Sequence, residues 1–329
     1  MRFARSCARG ILPAIAVAAL AWGCAPPVGA QATAAGAQAE YAPDKLDLAH
    51  SPASSEATIY FEFPIQRLKG AVPALRGIKY DPSQEHLPAI LASVAKKIAD
   101  LLPRLPDLIS REQVFHFQGS WEPNAPGGLA AAQPWTREFK YLIRCQRNAD
   151  GSTTIAESRI NGKGQAVNGV GPFMAMRGYG FAYQWLFFSA ANQSEFRFRY
   201  LGQQEKNGRK TYAVAFAQDP HKVDDPAYFL SDGKMAPFYY QGVFWVDQGS
   251  FDIVALRTDL LRPLPGLLLK QLTTQLTFRS VPIRGYDAVF WLPSEVDISS
   301  DQGRGPMEES HRYSDYHLFH AEAKIVSTP

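Results

Sequence analysis

The clearest regular patterning in the chain lies over residues 242–260, GVFWVDQGSFDIVALRTDL, where two apolar runs flank a polar turn. Val243, Phe244, Trp245 and Val246 are apolar at both parities, residues 247–250 supply turn chemistry with a glycine, and residues 251–258 resume in aromatic and branched side chains. This predicts a β-hairpin whose first strand is covered on both faces. Period-two segments surround it. Phe115, Phe117 and Trp121 alternate with His116, Gln118 and Ser120, and Phe139, Tyr141, Ile143 and Cys145 alternate with Lys140, Arg144 and Gln146, so the aromatic side of each is expected to face a core. Residues 153–160 return after a turn at 148–151, and Phe196, Phe198 and Tyr200 lead through Asn207 and Gly208 to Tyr212, Val214 and Phe216. Residues 272–281, 289–292, 296–299 and 311–319 read as later strands divided by proline and glycine, and residues 58–63 as an early one ended by Pro64.

One segment has helical spacing. Leu87, Ile90, Leu91, Val94, Ala95, Ile98, Leu101 and Leu102 recur at intervals of three and four, with Ser93, Lys96, Lys97 and Asp100 opposite, which predicts an amphipathic helix over residues 88–102 stopped by Pro103 and Pro106. Two stretches interrupt the strands. Residues 161–189 are glycine-rich and then aromatic, with Trp185, Phe187 and Phe188 in a segment that reads as a helix or lid over 179–189. Residues 262–270, RPLPGLLLK, read as a flap over an apolar surface. The fold class expected is mainly β (α+β): a large curved antiparallel sheet or half-barrel with an amphipathic helix and an aromatic lid.

The N-terminus changes the meaning of the charge. Arg2, Arg5 and Arg9 precede an apolar run over residues 11–22, then Pro26, Pro27 and the small residues 28–30, which together read as an export signal over 1–30. Without those three arginines the chain has 31 basic and 31 acidic residues, so there is no electrostatic case for nucleic acid. Residues 31–57 read as a flexible leader, and 58–329 as a single β domain. The expected location is the periplasm, with lipid anchoring through Cys24 as the alternative and no transmembrane segment in the mature chain. Cys145 is the one thiol well beyond the signal, which leaves no internal disulfide, and its parity with Tyr141 and Ile143 points it into a core.

Chemistry is sparse. Asp315, His317 and His320 are the closest group with metal-ligating side chains, but His320 falls on the opposite strand face, so neither a metal nor another cofactor is expected. His311 and His317 are expected to share a face with Tyr313, which allows a pH-sensitive contact. No GxSxG elbow, Ser-x-x-Lys helix start or phosphate-cradling glycine motif is present. The acidic pairs Asp224-Asp225 and Glu308-Glu309 read as solvated loop charge, and Asp247 and Asp252 as turn and solvent-facing residues. The aromatic supply is the remaining candidate. Trp185, Phe187, Phe188, Trp245 and Trp291 are assigned as lining residues of an apolar ligand surface, against the plainer expectation of a filled core.

The segments GRKTYAVAFAQ, GVFWVDQGSFDIVALRTDL, FWLPSEVDI and HRYSDYHLF occur in this order. Their Trp-Val-Asp hairpin, Trp-Leu-Pro strand and closing Tyr-x-x-Tyr strand resemble the periplasmic lipoprotein-carrier (LolA/LolB-like) superfamily over residues 196–320. The segment IADLLPRLPDLISREQV is also similar to a stretch of uncharacterised exported bacterial proteins. The carrier resemblance implies a half-barrel with helices as a lid and room for an acyl chain; this chain departs from it in length and in its 161–189 insertion. The function expected is non-catalytic binding of a lipid or other apolar ligand. The alternatives are an envelope protein-interaction or sensing module and, third, a hydrolase using Glu157, Glu195 or Glu295.

Overall fold

The computed structural model describes residues 59–319 apart from 123–128, 132, 150–152, 168–175, 178–180, 225, 232–233, 287–288 and 304. The expected signal and leader, with Cys24, lie outside these residues, as does His320. In chain order, α1 (Ile65–Ala71), β1 (Lys79–Tyr80) and α2 (Leu87–Leu101) come first. They are followed by β2 (Leu108–Trp121), β3 (Leu129–Ala131), β4 (Trp135–Arg147), β5 (Thr153–Ile160), β6 (Ala166–Val167) and β7 (Met176–Arg177). A 3₁₀ helix, Phe181–Phe188, precedes β8 (Phe196–Lys206), β9 (Arg209–Gln218), β10 (Ala227–Ser231) and β11 (Lys234–Phe238). The chain continues with β12 (Tyr240–Asp247), β13 (Ile253–Leu260), β14 (Gln271–Pro282), β15 (Val289–Asp301) and β16 (Pro306–Leu318).

The main sheet has 13 strands in the order β1-β8-β9-β12-β13-β14-β15-β16-β2-β4-β5-β6, with β3 paired to β2 off this path. Its ladders are antiparallel throughout, and it ends at β1 and β6 without closing on itself. Residues as distant along this order as Phe216 on β9 and Tyr141 on β4 share one core cluster, so the sheet curls around a common interior. This half-barrel, with helices against its concave face, is the arrangement that the carrier resemblance implies. β7, β10 and β11 form a separate small sheet whose Phe229, Ala236 and Phe238 join the same interior.

The predicted hairpin is the β12–β13 pair, with a bulge between Trp245 and Val246 at the turn end. Every residue of β12 is buried, because its two faces meet different covers. Gly242 has no room for a side chain: a Cβ would lie 1.9 Å from the Arg257 carbonyl of β13. The segments 289–292 and 296–299 are one strand: Pro293 pairs with Phe278 beside a bulge in the β14–β15 ladder that leaves Ser294 without a ladder partner.

Three expectations are corrected. Residues 60–62 form a turn rather than a strand, and the Tyr60 amide donates to the Gln241 side chain (2.8 Å) instead of to a ladder. On β2 the inward face is the opposite of the one predicted: Leu108, Ser110, Glu112, Val114 and His116 are buried, while Phe115 and Trp121 are exposed. Polar partners on β5 and β16 make that inversion possible, as described below. On β16 a register shift between Ser314 and His317, with Asp315 at φ 56°, separates the histidines: His311 faces the interior and His317 is exposed.

The predicted helix is α2 with a one-residue shift, and it buries Ile90, Val94, Ala95 and Ile98 as its periodicity requires. Residues 262–270 do form an apolar flap, with Leu264, Leu267 and Leu269 buried and Leu268 exposed in the left-handed region (φ 56°). Among the described residues no helix is long and apolar enough to cross a membrane.

Candidate functional site

Among the described residues, α2 and the 3₁₀ helix Phe181–Phe188 cover part of the concave face, beside the 262–270 flap and the small β10–β11 sheet. α2 contributes Ile90, Val94 and Ile98, and the 3₁₀ helix contributes Trp185, Phe187 and Phe188, all within the large interior cluster. Phe188 is the centre of this lid. Its ring stacks on Phe244 of β12 at 4.0 Å and meets Phe216 of β9 edge-on at 5.2 Å, with Phe196 and Phe198 of β8 each at 6.2 Å. The Gln193 amide donates to the Leu91 and Phe188 carbonyls (2.9 Å each), joining the two lid pieces, and Lys97 of α2 meets Asp252 of the β12–β13 turn at 3.2 Å.

Of the five predicted lining residues, Trp185, Phe187 and Phe188 come together on the concave side. Trp245 does not. By strand parity Phe244 and Val246 face the lid while Val243 and Trp245 face outward, under a strap formed by α1 and the turn after it. There Trp245 packs with Leu68, Val72 and Leu75 and its indole N–H donates to Gln204 Oε1 (3.0 Å). Trp291, half-buried near the start of β15, touches both clusters. The cleft between α2 and the hairpin turn, lined by Val94, Ile98, Leu101, Trp185, Ile253 and Trp291 among others, holds about 30 Å³, and a larger one of about 640 Å³ lies over β2, β4, β5 and β16.

A buried ionic network occupies the inner face of β2, β5 and β16, and the sequence reading missed it. Glu112, fully buried, accepts from Arg159 Nε (2.5 Å) and Nη2 (2.8 Å) and from the Tyr313 hydroxyl (2.8 Å), and pairs with His311 Nδ1 (2.9 Å). Glu309 pairs with His116 Nδ1 (2.8 Å) and lies 3.6 Å from His311 Nε2. The His116 ring stacks on Trp135, and the Arg159 guanidinium lies over Tyr141. Glu309 therefore belongs to a strand interior rather than the expected solvated loop. The available signal was charge complementarity: one face of β2 carries Glu112 and His116, and one face of β16 carries Glu309 and His311.

Burial alone would raise the Glu112 carboxyl, but the Arg159 charge and the hydrogen bonds from His311 and Arg159 hold it down at about 2. Burial would lower His311, and its bonds to Glu112 and Glu309 outweigh that and raise it above the usual 6.5. A depressed carboxylate stabilises the fold above its ordinary 4.5 and loses that contribution as pH falls towards 2. A raised histidine stabilises below 6.5 and loses that contribution as pH rises through its folded-state value. The network's contribution is thus expected to be greatest between pH 4.5 and 6.5. Urea unfolding of the wild type and His311→Gln from pH 4.5 to well above 6.5 checks it; parallel stability curves above pH 6.5 would sink the assignment to His311.

No family model matches the chain, and no curated protein matches it in sequence. Among solved structures, a domain from Vibrio parahaemolyticus named for outer membrane lipoprotein sorting is 15% identical and covers 69% of this chain and 90% of its own, at a TM-score of 0.35. A DUF1329 family protein from Desulfovibrio piger is 13% identical and covers 72% of this chain and 93% of its own, at a TM-score of 0.36. At these scores the similarity carries no weight for function, and the half-barrel rests on its own strand register.

The proposed hydrolytic carboxylates do not converge. Glu157 lies on β5 opposite Ile143, Glu195 ends the short 3₁₀ turn before β8, and Glu295 lies on the outer face of β15, paired with Arg312 (2.7 Å). Among the described residues no group of three or more His, Cys, Asp or Glu side chains is placed to hold a metal ion. Cys145 is half-buried, with its thiol pushed up to about 12 by burial and by Asp107, which suits packing rather than nucleophilic chemistry. Asp247 and Asp252 are turn residues as predicted, but both are buried and paired, with Arg209 (2.6 Å) and Lys97 (3.2 Å).

Proposed function

We propose that this is an exported, periplasmic protein that binds an acyl chain or similar apolar ligand on the concave face of its half-barrel, without catalysis. The observation that carries this reading is the cover itself: an unclosed sheet presents Phe196, Phe216 and Phe244 on its inner surface, and α2 and Phe181–Phe188 pack over them without belonging to the sheet. The lid packs on this surface through Phe188 against Phe196, Phe198, Phe216 and Phe244, apolar contacts that an acyl chain can replace with similar ones. Each methylene so buried contributes about 0.8 kcal/mol. The cleft beside α2, about 30 Å³, is too small for a chain, so uptake at this place would part α2 from the hairpin turn. Export is read from residues 1–30, and the carrier resemblance of residues 196–320 points the same way.

The test is titration of the protein lacking residues 1–30 with a fluorescent fatty acid, together with native mass spectrometry of the purified material. Saturable uptake near one chain per protein is expected. A ligand-free mass and no uptake contradict the reading, and stoichiometric recovery of one envelope protein in the same preparation would favour the interaction-module alternative instead.

A further inference from the structure

We infer that the seam between α2 and the β12–β13 turn admits a single-chain amphiphile with an anionic headgroup, and that Lys97 takes that headgroup; this rests on the acyl-chain reading above. The seam has the composition of an amphiphile site. Its walls are Val94, Ile98 and Leu101 of α2, Trp185 of the lid, and Ile253 and Trp291 of the sheet, and the charged groups lining it are Lys97 and Asp252. The two are not equivalent. The Asp252 side chain is 8% exposed and faces Lys97, whereas the Lys97 side chain is 39% exposed. An ammonium has three donors, so Lys97 can keep Asp252 at 3.2 Å and still direct a donor towards an incoming carboxylate. A cationic headgroup would have to displace Lys97 to reach Asp252, and an uncharged one would gain no charge-assisted bond.

A second ion pair stands beside the seam. Arg209 lies over the Trp291 ring at 5.1 Å, adding a second cation beside the seam. Its partner Asp247 also accepts from the Gly249 and Ser250 amides and the Ser250 hydroxyl, so the turn itself holds that carboxylate in place. Phe251, which also lines the seam, is held in the left-handed region at φ 58°, a strained backbone for an aromatic residue and of the kind found at ligand clamps. A narrow seam of this kind favours one chain over two, because less lid surface must part to admit it.

The experiment compares the wild type with Lys97→Gln in binding palmitate, monopalmitin and cetyltrimethylammonium. The wild type is expected to prefer palmitate, and Lys97→Gln to weaken palmitate about tenfold or more relative to monopalmitin, as loss of a charge-assisted bond implies, since loosening of the Lys97–Asp252 tie acts on both probes alike. Equal loss for palmitate and monopalmitin, no loss for palmitate, or a wild-type preference for the uncharged or cationic probe overturns the headgroup assignment and leaves the carrier reading standing. If the wild type binds none of the three, both fail.

Discussion

Arg159→Met is expected to destabilise the protein by roughly 3–5 kcal/mol, the cost of leaving a buried carboxylate without its countercharge. Glu112 has no exposed surface and receives two of its hydrogen bonds from that guanidinium. His311 and Tyr313 remain as partners, but the Arg159 charge is the strongest influence holding the Glu112 carboxyl down against burial. The variant therefore lowers the urea midpoint at unchanged slope. Adding Glu112→Leu is expected to recover much of the loss, because removing both charges also removes the desolvation penalty. A single-variant loss below about 1 kcal/mol, the scale of a surface ion pair, would show that the network is not buried as described.

Phe188→Ala should cost about 3–5 kcal/mol, in the range for deleting a fully buried aromatic ring. The ring is the point where the 3₁₀ helix meets β8, β9 and β12, through Phe196, Phe198, Phe216 and Phe244. Its loss removes packing from the lid and the sheet together. Phe115→Ala is the matched control, because the sequence pattern assigned Phe115 to the core and the structure exposes 39% of it. A change within about 0.5 kcal/mol is expected there. A Phe115 effect as large as that of Phe188 would restore the aromatic parity of β2 and contradict the network on its other face.

The contrast between these phenylalanines shows what a single sequence reveals. The hairpin around Trp245, the helix around Val94 and the flap around Leu267 were legible because local periodicity and turn chemistry set them. The lid was legible as an aromatic segment, though not its docking against Phe244. The inner face of β2 was not legible, because alternation states that a strand has two faces but not which of them meets the interior. The choice was made by partners on β5 and β16, about 47 and 199 residues away in sequence for Arg159 and His311. Trp245 fails for the same reason. Its neighbours Phe244 and Val246 are equally apolar, and only the strap from α1 decides that the indole points outward. The His317 expectation failed at a bulge, where one extra residue reverses the parity that spacing assumes.

An acyl chain is expected to enter on the concave side, beneath the lid. Quenching of tryptophan fluorescence by a brominated fatty acid tests it most directly, because bromine acts at short range. With the wild type, Trp185→Phe and Trp245→Phe compared, quenching is expected to be substantially reduced in Trp185→Phe and retained in Trp245→Phe. Retention in Trp185→Phe with loss in Trp245→Phe would place the chain on the strap side of the sheet and contradict the account.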